Sequence, residues 1–325
     1  MYFKYHYIIL GSEWDLYKIS YSELYDIPDV EYIEGLQHIF GERMGKLLNS
    51  IVIRTKIFPL NFFLKRYFVR TFSKVNKPIC LILFANWVLY DLSFDFVSDI
   101  KKKHPNFKVV CFFQDLVKSR NISQQKLNNA KEKYDLNISF DYGDCEKYGM
   151  QYHSLLFSDV SSQYDYKIEN DIYFLGKAKN RLKDILSVYT FLKSKNLRLD
   201  FNLVGVPYGQ QEFRDEINYI ESMPYDENLK HVAKSKCLLE VMQKTGTGFT
   251  SRVNEAICFG KRIITNNTMI KNAPFYNSNF ISVFDDRFEL DEKFLSELND
   301  EVVVNYHYKD KLSPVSFLSF IEERL

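Results

Sequence analysis

The sequence predicts an α/β protein built from two doubly wound domains. Short runs of β-branched and aromatic residues alternate with longer amphipathic stretches along a chain of 325 residues, which is typical of helices layered on a mostly parallel sheet. The polar, irregular stretch 165–170 interrupts this alternation, which then starts again. We therefore predict a first domain at 1–164 and a second at 165–325, with the last helix able to pack back on the first domain.

Six runs of the first domain are predicted to be strands because they are rich in β-branched and aromatic residues. They lie at 7–10, 31–33, 79–84, 108–113, 138–140 and 154–157. The amphipathic segments predicted to be helices lie at 14–24, 41–51, 60–72, 91–103 and 123–134. The turn 140–144 is interpreted as structural, with Asp144 capping a short helix that runs through Lys147.

The second domain repeats the alternation. Strands are predicted at 171–175, 200–204, 218–221 and 237–241, and helices at 181–194 and 227–233. A loop rich in glycine and hydroxyl groups then leads into another helix, for which Thr250 or Ser251 is the natural N-cap. Gly260 ends that helix, and the β-branched run 262–265 is the next predicted strand.

The stretch 246–256 has the composition of a phosphate-binding turn. A helix that starts at Ser251 presents unpaired backbone N–H groups and a partial positive charge, both of which favour an anion. Glu255 follows one turn later, at the reach where a carboxylate can accept hydrogen bonds from ribose hydroxyls. The alternative is an ordinary strand-to-helix turn, in which Arg252 is solvated and Glu255 faces water.

The order of residues in this stretch is informative beyond the turn itself. Gly248-Phe249 is followed by Glu255-Ala256 and then by a Gly-Lys-Arg-Ile-Ile run that begins at Gly260. This order resembles the donor-binding end of GT-B glycosyltransferases. The resemblance implies two Rossmann-like doubly wound domains facing a central cleft, with a nucleotide-diphosphate sugar bound in the second domain. It also implies that no cofactor and no divalent metal are needed.

The sequence departs from the GT-B pattern at Thr247. The family frequently has a Glu-x7-Glu pattern, whose first acid would stand at Thr247, so only the second carboxylate, Glu255, is present. The chain therefore lacks the side chain that acts near the donor sugar in many relatives. A non-catalytic protein of the same fold is one interpretation of this substitution.

A basic turn is expected at the end of the strand 171–175. It begins at Gly176 and carries Lys177, Lys179 and Arg181, three cations that could neutralise a diphosphate leaving group. The alternative is a basic helix start on the surface, although cations there oppose the helix dipole. The resemblance supports a binding role, because GT-B enzymes commonly have a Gly-Arg/Lys turn at this place.

Two more strand ends are candidate parts of the donor site. Gly205 follows the strand 200–204 and resembles the Val-Gly strand end that flanks the donor in the family. Met223 and Tyr225 could form the apolar lid over the nucleotide base that the resemblance implies. The alternative is that Gly205 and Pro224 only shape turns.

In the first domain, Asp115 follows the strand 108–113 and is expected to face the cleft. It is the candidate base that deprotonates an acceptor hydroxyl, and Lys177 is the second candidate catalytic residue. Helix capping is the commoner use of an Asp at such a place.

Composition limits the partners. The 43 basic and 42 acidic residues leave no net charge that favours nucleic acid. Five dispersed cysteines and six histidines show no metal-ligand spacing, which predicts no structural metal and a reducing cytoplasm. No apolar run reaches the roughly 20 residues that span a bilayer. The aromatic and basic segment 61–74 could be an interfacial helix touching anionic lipid, or a core helix with a basic edge.

The sequence thus predicts a cytoplasmic, metal-independent glycosyltransferase similar to those that build bacterial capsule, exopolysaccharide or lipopolysaccharide. The donor would be a nucleotide-diphosphate sugar, and the acceptor a glycan or a lipid-linked glycan. The alternatives are a sugar-nucleotide epimerase of the same fold and a non-catalytic binding or scaffold protein. A dinucleotide oxidoreductase is disfavoured because Gly11 stands alone after the first strand, without a G-x-G-x-x-G pattern.

Overall fold

A computed structural model gives the architecture of the protein. It describes residues 2–47, 66–67, 70–72, 74–84, 95–120, 127–128, 132–243, 246–285, 290–300 and 302–325. The chain divides into two compact units, the first comprising Met1–Ser154 and Pro314–Leu325 and the second Leu155–Ser313.

The boundary between the units precedes the predicted one at 164/165 because of the contacts made by residues 155–164. The Leu155 carbonyl accepts a hydrogen bond from Asn254 Nδ2 at 2.7 Å. The Tyr164 hydroxyl donates to the Asp226 carboxylate at 2.9 Å. Both partners lie in the second unit, so this stretch groups with that unit although it precedes the polar linker.

The first unit contains a parallel sheet of six described strands, in the order β2-β1-β3-β4-β5-β6. The strands are β1 His6–Leu10, β2 Val30–Ile33, β3 Ile79–Phe84, β4 Lys108–Phe113, β5 Leu136–Ser139 and β6 Gln151–Tyr152. The helices with described ends are α1 Asp15–Ser20, α2 Leu36–Phe40, α3 Asp95–Lys103 and α4 Tyr142–Tyr148. The strands β3 and β4 are buried over nearly their whole length, as expected for a parallel sheet covered on both faces.

Four predictions for the first domain need comment. The strand predicted at 154–157 is wrong: the last strand is the shorter β6, which pairs with β5, and 154–157 are outside the sheet. The predicted helices at 60–72 and 123–134 fall mostly outside the described residues. The N-cap of α4 is Asp141, not Asp144, because it is the Asp141 carboxylate that accepts from the backbone N–H of Asp144 at 3.0 Å.

The second unit also contains a parallel sheet of six described strands, in the order β12-β11-β10-β7-β8-β9. The strands are β7 Asn170–Lys177, β8 Leu199–Val204, β9 Asn218–Ile220, β10 Ser235–Glu240, β11 Arg262–Thr265 and β12 Ile281–Val283. The helices are α5 Leu182–Ser194, α6 Tyr225–Ala233, α7 Ser251–Phe259, α8 Glu292–Ser296 and α9 Lys309–Leu312. Each predicted strand of this half is present within one or two residues of its predicted ends.

The order of the strands in the second sheet reverses at β7. From β7 the chain builds outward through β8 to β9 on one side, and then returns to place β10, β11 and β12 on the other side. In open parallel sheets the connections on the two sides of such a switch point diverge, which leaves a crevice outside the carboxyl ends of the two central strands. In this unit the crevice lies beyond the ends of β7 and β10.

The C-terminal helix α10, Pro314–Glu322, belongs to the first unit. Phe317, Leu318 and Ile321 bury their side chains there, and the Leu318 carbonyl accepts a hydrogen bond from the Tyr7 hydroxyl at 3.2 Å. The His153 ring lies 4.8 Å from the Phe317 ring, between their centroids. The second compact unit therefore consists of a single continuous segment, whereas the first combines an N-terminal and a C-terminal segment of the chain.

Candidate functional site

The crevice at the switch point is bordered by two strand ends that a single arginine connects. Arg181 follows β7 and sends its guanidinium across to β10, where Nη1 donates to the Val241 carbonyl. Its Nη2 donates to the Lys177 carbonyl at 2.5 Å. Arg181 is half-buried, and this burial lowers its pKa. Arg181 thus fixes the spacing between the ends of β7 and β10.

The helix α7 begins at the same edge of the sheet. The Thr250 hydroxyl accepts from the backbone N–H of Arg252 at 3.2 Å, so Thr250 is the N-cap and Ser251 is the first helical residue. Gly260 ends the helix in the left-handed conformation, with φ = 60°. Both helix boundaries predicted from the sequence are confirmed.

Four polar groups at this edge have no partner within the described part of the chain: the side chains of Lys177 and Lys179, and the backbone N–H and the hydroxyl of Ser251. Both lysines are exposed. Lys179 also has a positive φ of 46°, which a non-glycine residue adopts at a cost. These groups give the edge uncompensated positive charge and hydrogen-bond donors, the chemistry that binds an anion.

Arg252 and Glu255 form the buried polar pair beneath this edge. One turn of α7 separates them, and Arg252 Nη1 donates to Glu255 Oε2 at 2.5 Å. Arg252 Nη2 reaches back to the carbonyl of Leu175 on β7, at 3.1 Å. Burial is the largest single influence on the pKa of Arg252 and lowers it, but the Glu255 carboxylate together with Tyr173, Tyr225 and Glu240 outweighs burial, and the pKa is raised. Arg252 therefore stays charged and connects α7 to β7.

Glu255 is only 1% exposed, and its other oxygen is also engaged. Glu255 Oε1 accepts from the Tyr225 hydroxyl at 2.9 Å and from Asn228 Nδ2 at 3.1 Å. The Asn228 side-chain oxygen in turn accepts from the Tyr173 hydroxyl at 3.0 Å. Glu255 thus faces a network of protein donors rather than water. The alternative in which Arg252 is solvated and Glu255 faces water is therefore wrong.

Other candidates differ in how the structure holds them. Phe249 is 2% exposed and packs edge-on against Phe275, with ring centroids 5.2 Å apart, so its side chain is part of the core. Met223 is half-buried, and its sulfur lies 3.6 Å from the Tyr173 hydroxyl. Tyr225 begins α6 rather than lying before it, because Pro224 sets the start of that helix.

The glycines of the site serve different purposes. Gly205 directly follows β8 with φ = 71° and is exposed, with open space where a Cβ would stand. At Gly176 a Cβ would stand 3.0 Å from the Phe174 ring. Gly248 is buried, and its carbonyl accepts from Asn267 Nδ2 at 3.1 Å. The side chain of Asn267 therefore holds the backbone that precedes α7.

Glu240 is a component of the site that the sequence analysis did not identify. It is the last residue of β10, is 4% exposed, and accepts from the hydroxyls of Thr250 and Thr265. Burial raises the pKa of Glu240, and the two hydroxyl hydrogen bonds offset only part of this effect. The signal in the sequence was a carboxylate that ends an apolar strand directly before a glycine-rich loop.

Asp115 lies in the first unit, two residues beyond the end of β4, and its side chain is exposed. The residues discussed above all lie in the second unit. Of the segment 61–74, only 66–67, 70–72 and 74 are among the described residues, so the predicted lipid contact falls mostly outside them. Across the described ranges we find no helix with the length and apolar character needed to cross a bilayer.

A second concave feature borders the edge strand β9. It is a cavity of about 480 Å³ whose lining includes Asn202, Asn218 and His231. His231 Nδ1 lies 2.5 Å from Asp200, and this hydrogen bond raises the pKa of His231. None of the residues predicted from the sequence to bind a donor lines this cavity, so it is separate from the crevice at β7 and β10.

No family model matches the chain, and no curated protein is similar to it in sequence. Solved structures are similar in fold. An α-glucosyltransferase in complex with UDP and a 13-mer DNA containing a central A:G mismatch has a TM-score of 0.51 and 15% identity, over 75% of this chain and 78% of that chain. The UDP-GlcNAc 2-epimerase from Methanocaldococcus jannaschii has a TM-score of 0.51 and 13% identity, over 97% of this chain and 99% of that one.

These likenesses establish the fold. Together with the two parallel sheets of six strands, they confirm the predicted GT-B architecture of two Rossmann-like domains. At 13–15% identity they carry information about the fold alone. The chemistry has to be argued from the residues of this chain.

Proposed function

We propose that the protein is a glycosyltransferase that moves a sugar from a nucleotide-diphosphate donor to a hydroxyl of a glycan or a lipid-linked glycan. The observation that carries the proposal is the group of donors on Lys177, Lys179 and Ser251 that have no partner among the described residues, at the switch point of the second sheet. Ligands of open α/β sheets bind at this point, and these donors fit a diphosphate.

The proposed chemistry follows from charge. As the bond between the anomeric carbon and the diphosphate breaks, negative charge develops on the leaving oxygens. Lys177 or Lys179 and the Ser251 N–H stabilise that charge with dipoles and cations already in place. Arg181 and Arg252 take part indirectly, because their guanidinium groups are occupied by the carbonyls of Val241, Lys177 and Leu175. Their proposed role is to hold the two strand ends and α7 in position.

The ribose is proposed to reach Glu255 by replacing the Tyr225 hydroxyl. Of the three side chains that donate to Glu255, Asn228 is buried and Arg252 carries the compensating charge, whereas Tyr225 is half-buried at the start of α6. A small movement of Tyr225 would open one carboxylate oxygen to ribose hydroxyls. Met223 and Gly205 are proposed to border the base and the sugar of the same donor.

Asp115 is proposed as the base that takes the proton of the acceptor hydroxyl if the reaction inverts the anomeric centre. A retaining enzyme needs no such base, since the leaving phosphate takes that proton. Proton NMR of the product gives the anomeric configuration. Retention, or normal turnover of Asp115→Asn, removes Asp115 from the mechanism. We propose that transfer needs no divalent metal, so activity should survive excess EDTA.

The proposal is tested by a donor panel. Radiolabelled UDP-, GDP- and dTDP-sugars are incubated with the protein, with and without bacterial lipid extracts, and the products are separated. Transfer to lipid would support a role in surface polysaccharide synthesis on the cytoplasmic side of a membrane. Transfer to a DNA duplex added in parallel would redirect the acceptor proposal, given the DNA in the complex of the similar α-glucosyltransferase.

The basic turn gives a sharper test. Lys177→Ala or Lys179→Ala should lower turnover about 100-fold, the usual cost of losing one charged contact to the leaving group. Lys183→Ala is the matched control, since Lys183 is an exposed lysine of α5 outside the turn. If Lys177→Ala and Lys179→Ala both turn over at the control rate, the leaving group is stabilised elsewhere.

A second candidate function is epimerisation of the sugar within a sugar nucleotide. It is favoured by the coverage of the UDP-GlcNAc 2-epimerase, which extends over 97% of this chain and 99% of that one. Such an enzyme would use the same donor crevice but needs acid and base groups at the sugar ring. Solvent deuterium incorporated into the recovered sugar nucleotide, without any acceptor, would identify it. Donor binding with neither transfer nor exchange would identify a non-catalytic binding protein.

A further inference from the structure

A buried carboxylate lies beneath the loop that leads into α7. Glu240 ends β10 and is 4% exposed, yet it forms no ion pair with any of the described residues. A carboxylate in such a place costs free energy unless hydrogen bonds compensate it. Its hydrogen-bond partners are the hydroxyl groups of Thr250 and Thr265 and the backbone N–H of Thr250, and the charge of Arg252 also favours the ionised carboxylate.

One branch of this arrangement holds the start of the helix. The Thr250 hydroxyl has one proton, and it donates that proton to Glu240 Oε1. The oxygen lone pairs of Thr250 are then directed to the backbone N–H of Arg252, the N-cap hydrogen bond of 3.2 Å. Glu240 therefore fixes the orientation of the N-cap that determines where α7 begins.

The other branch holds the loop itself. Thr265 lies opposite Glu240 in the register of β10 and β11, and its hydroxyl donates to Glu240 Oε2 at 2.6 Å. The Thr265 oxygen accepts from the backbone N–H of Asn267 at 3.0 Å. Asn267 Nδ2 donates to the carbonyl of Gly248 at 3.1 Å. A chain of three hydrogen bonds thus connects Glu240 to the backbone two residues before Thr250.

We propose that Glu240 is the positioning residue of the donor site: by fixing the proton directions of Thr250 and Thr265, it holds 248–251 so that the N–H and hydroxyl of Ser251 point at the diphosphate. This inference rests on the proposed function, because it assigns the diphosphate as the ligand of Ser251. Glu240 does not touch the donor in this scheme. It acts through the two threonines and Asn267.

The test distinguishes the hydrogen bonds of the Thr265 hydroxyl from the packing of its side chain. Thr265→Val removes the hydroxyl at nearly constant volume, and Thr265→Ser keeps it. Ser282→Ala is the matched control. Ser282 lies in β12, is 6% exposed and pairs with Ile264 of β11, so this change removes a buried hydroxyl that has no hydrogen bond to the loop among the described residues. Glu240→Gln retains the volume of the carboxylate and introduces an amide donor that reverses one proton direction.

The first measurement is amide hydrogen exchange of 248–250 and 252 in the ligand-free protein. Thr265→Val and Glu240→Gln should raise the exchange rates of these amides at least tenfold, while Thr265→Ser and Ser282→Ala leave them near the wild-type rates. Wild-type exchange in both Thr265→Val and Glu240→Gln would overturn the inference. This result does not depend on the identity of the donor, so it holds even if the proposed function fails.

The second measurement is binding of UDP by calorimetry, together with donor KM and kcat wherever the donor panel gives turnover. The expected result is a dissociation constant and a KM raised about tenfold in Thr265→Val and restored in Thr265→Ser, with kcat changed less. Wild-type protein that binds neither UDP, GDP nor dTDP would refute the proposed function. Wild-type protein that binds UDP, with equal affinity in Thr265→Val, would refute the positioning role alone.

Discussion

At the scale of single residues, the structure separates the charged groups that face outward from those that hold the site together. Lys177 and Lys179 are exposed, and among the described residues neither has an ion-pair partner. Arg181 and Arg252 carry the same charge, but their guanidinium groups donate to backbone carbonyls, and that of Arg252 also pairs with Glu255. The sequence presents these four cations alike, because a side chain's partner depends on which strand ends the fold brings together.

The Arg252–Glu255 pair leads to a stability prediction. Glu255→Gln should lower the free energy of unfolding by about 3 kcal/mol, because it leaves the guanidinium of Arg252 without its compensating charge in a site where Glu255 is only 1% exposed. Glu227→Gln is the control. Glu227 pairs with Lys230 at 3.1 Å on the exposed face of α6, and its loss should cost under about 1 kcal/mol. Urea unfolding measures both, and equal costs would contradict the structural role of the buried pair.

At the scale of elements, α7 shows how local sequence and tertiary contact combine. Thr250 supplies the N-cap and Gly260 the left-handed C-terminal residue, and both are legible from the sequence because capping is a local property. The contacts around Gly260, by contrast, involve residues distant in the sequence. A Cβ at Gly260 would stand 2.9 Å from the carbonyl oxygen of Val304, which lies far along the chain.

This contact separates two glycines with the same backbone conformation. Gly205→Ala and Gly260→Ala each place alanine at a positive φ, 71° and 60°, which costs about 1 kcal/mol. Only Gly260→Ala also meets the Val304 carbonyl, whereas Gly205 has open space. Gly260→Ala should therefore destabilise the protein by about 1 kcal/mol more than Gly205→Ala. Equal free energies of unfolding in the two variants would show that the backbone at Val304 moves away from the added Cβ without loss of stability.

At the scale of the whole molecule, the division into two units depends on where the two ends of the chain pack. The first unit includes α10, and His153 lies among its aromatic side chains, 4.8 Å from the Phe317 ring and 4.7 Å from the Phe320 ring. Burial lowers the pKa of His153 to about 4, so the folded first unit holds this ring neutral.

The buried ring makes the first unit acid-sensitive. An unfolded histidine has a pKa of about 6.5, so between pH 6.5 and about 4 the unfolded chain binds the proton that folded His153 rejects. The free energy of unfolding of the first unit should fall as the pH is lowered through this range, by up to about 3 kcal/mol. His153→Phe, which preserves the aromatic packing, should flatten the dependence. Urea unfolding followed by NMR signals of β3 and β4 at pH 7 and pH 4.5 measures it.

His231 provides the control for that experiment, because its pKa is raised by the hydrogen bond to Asp200 rather than lowered. Its contribution is fully present below pH 6.5 and is lost as the pH rises through the raised pKa. His231→Gln should therefore lower the free energy of unfolding of the second unit most below pH 6.5, abolish its decline above pH 6.5, and leave the acid sensitivity of the first unit unchanged. If the free energy of unfolding of the first unit still falls at low pH in His153→Phe, another titrating group causes the acid sensitivity.

The sequence by itself determined what depends on neighbouring residues. Periodicity and β-branched runs located β7 to β11 of the second domain but not the short β12. Capping chemistry located both ends of α7, because hydrogen bonds within one or two turns decide these features. The same local reasoning missed the short β6 and placed a strand at 154–157, since an apolar run has no strand partner that the sequence can reveal.

Only the tertiary structure decided how the site is assembled. The reversal of strand order at β7 brings the ends of β7 and β10 together, and this alone shows that Arg181 bonds to Val241 and that Arg252 bonds to Leu175. Glu240 gained its role only through Thr250 and Thr265, which follow it by 10 and 25 positions. The physical reason is that a buried polar group must find its hydrogen-bond partners wherever the fold places them, and sequence separation does not limit that search.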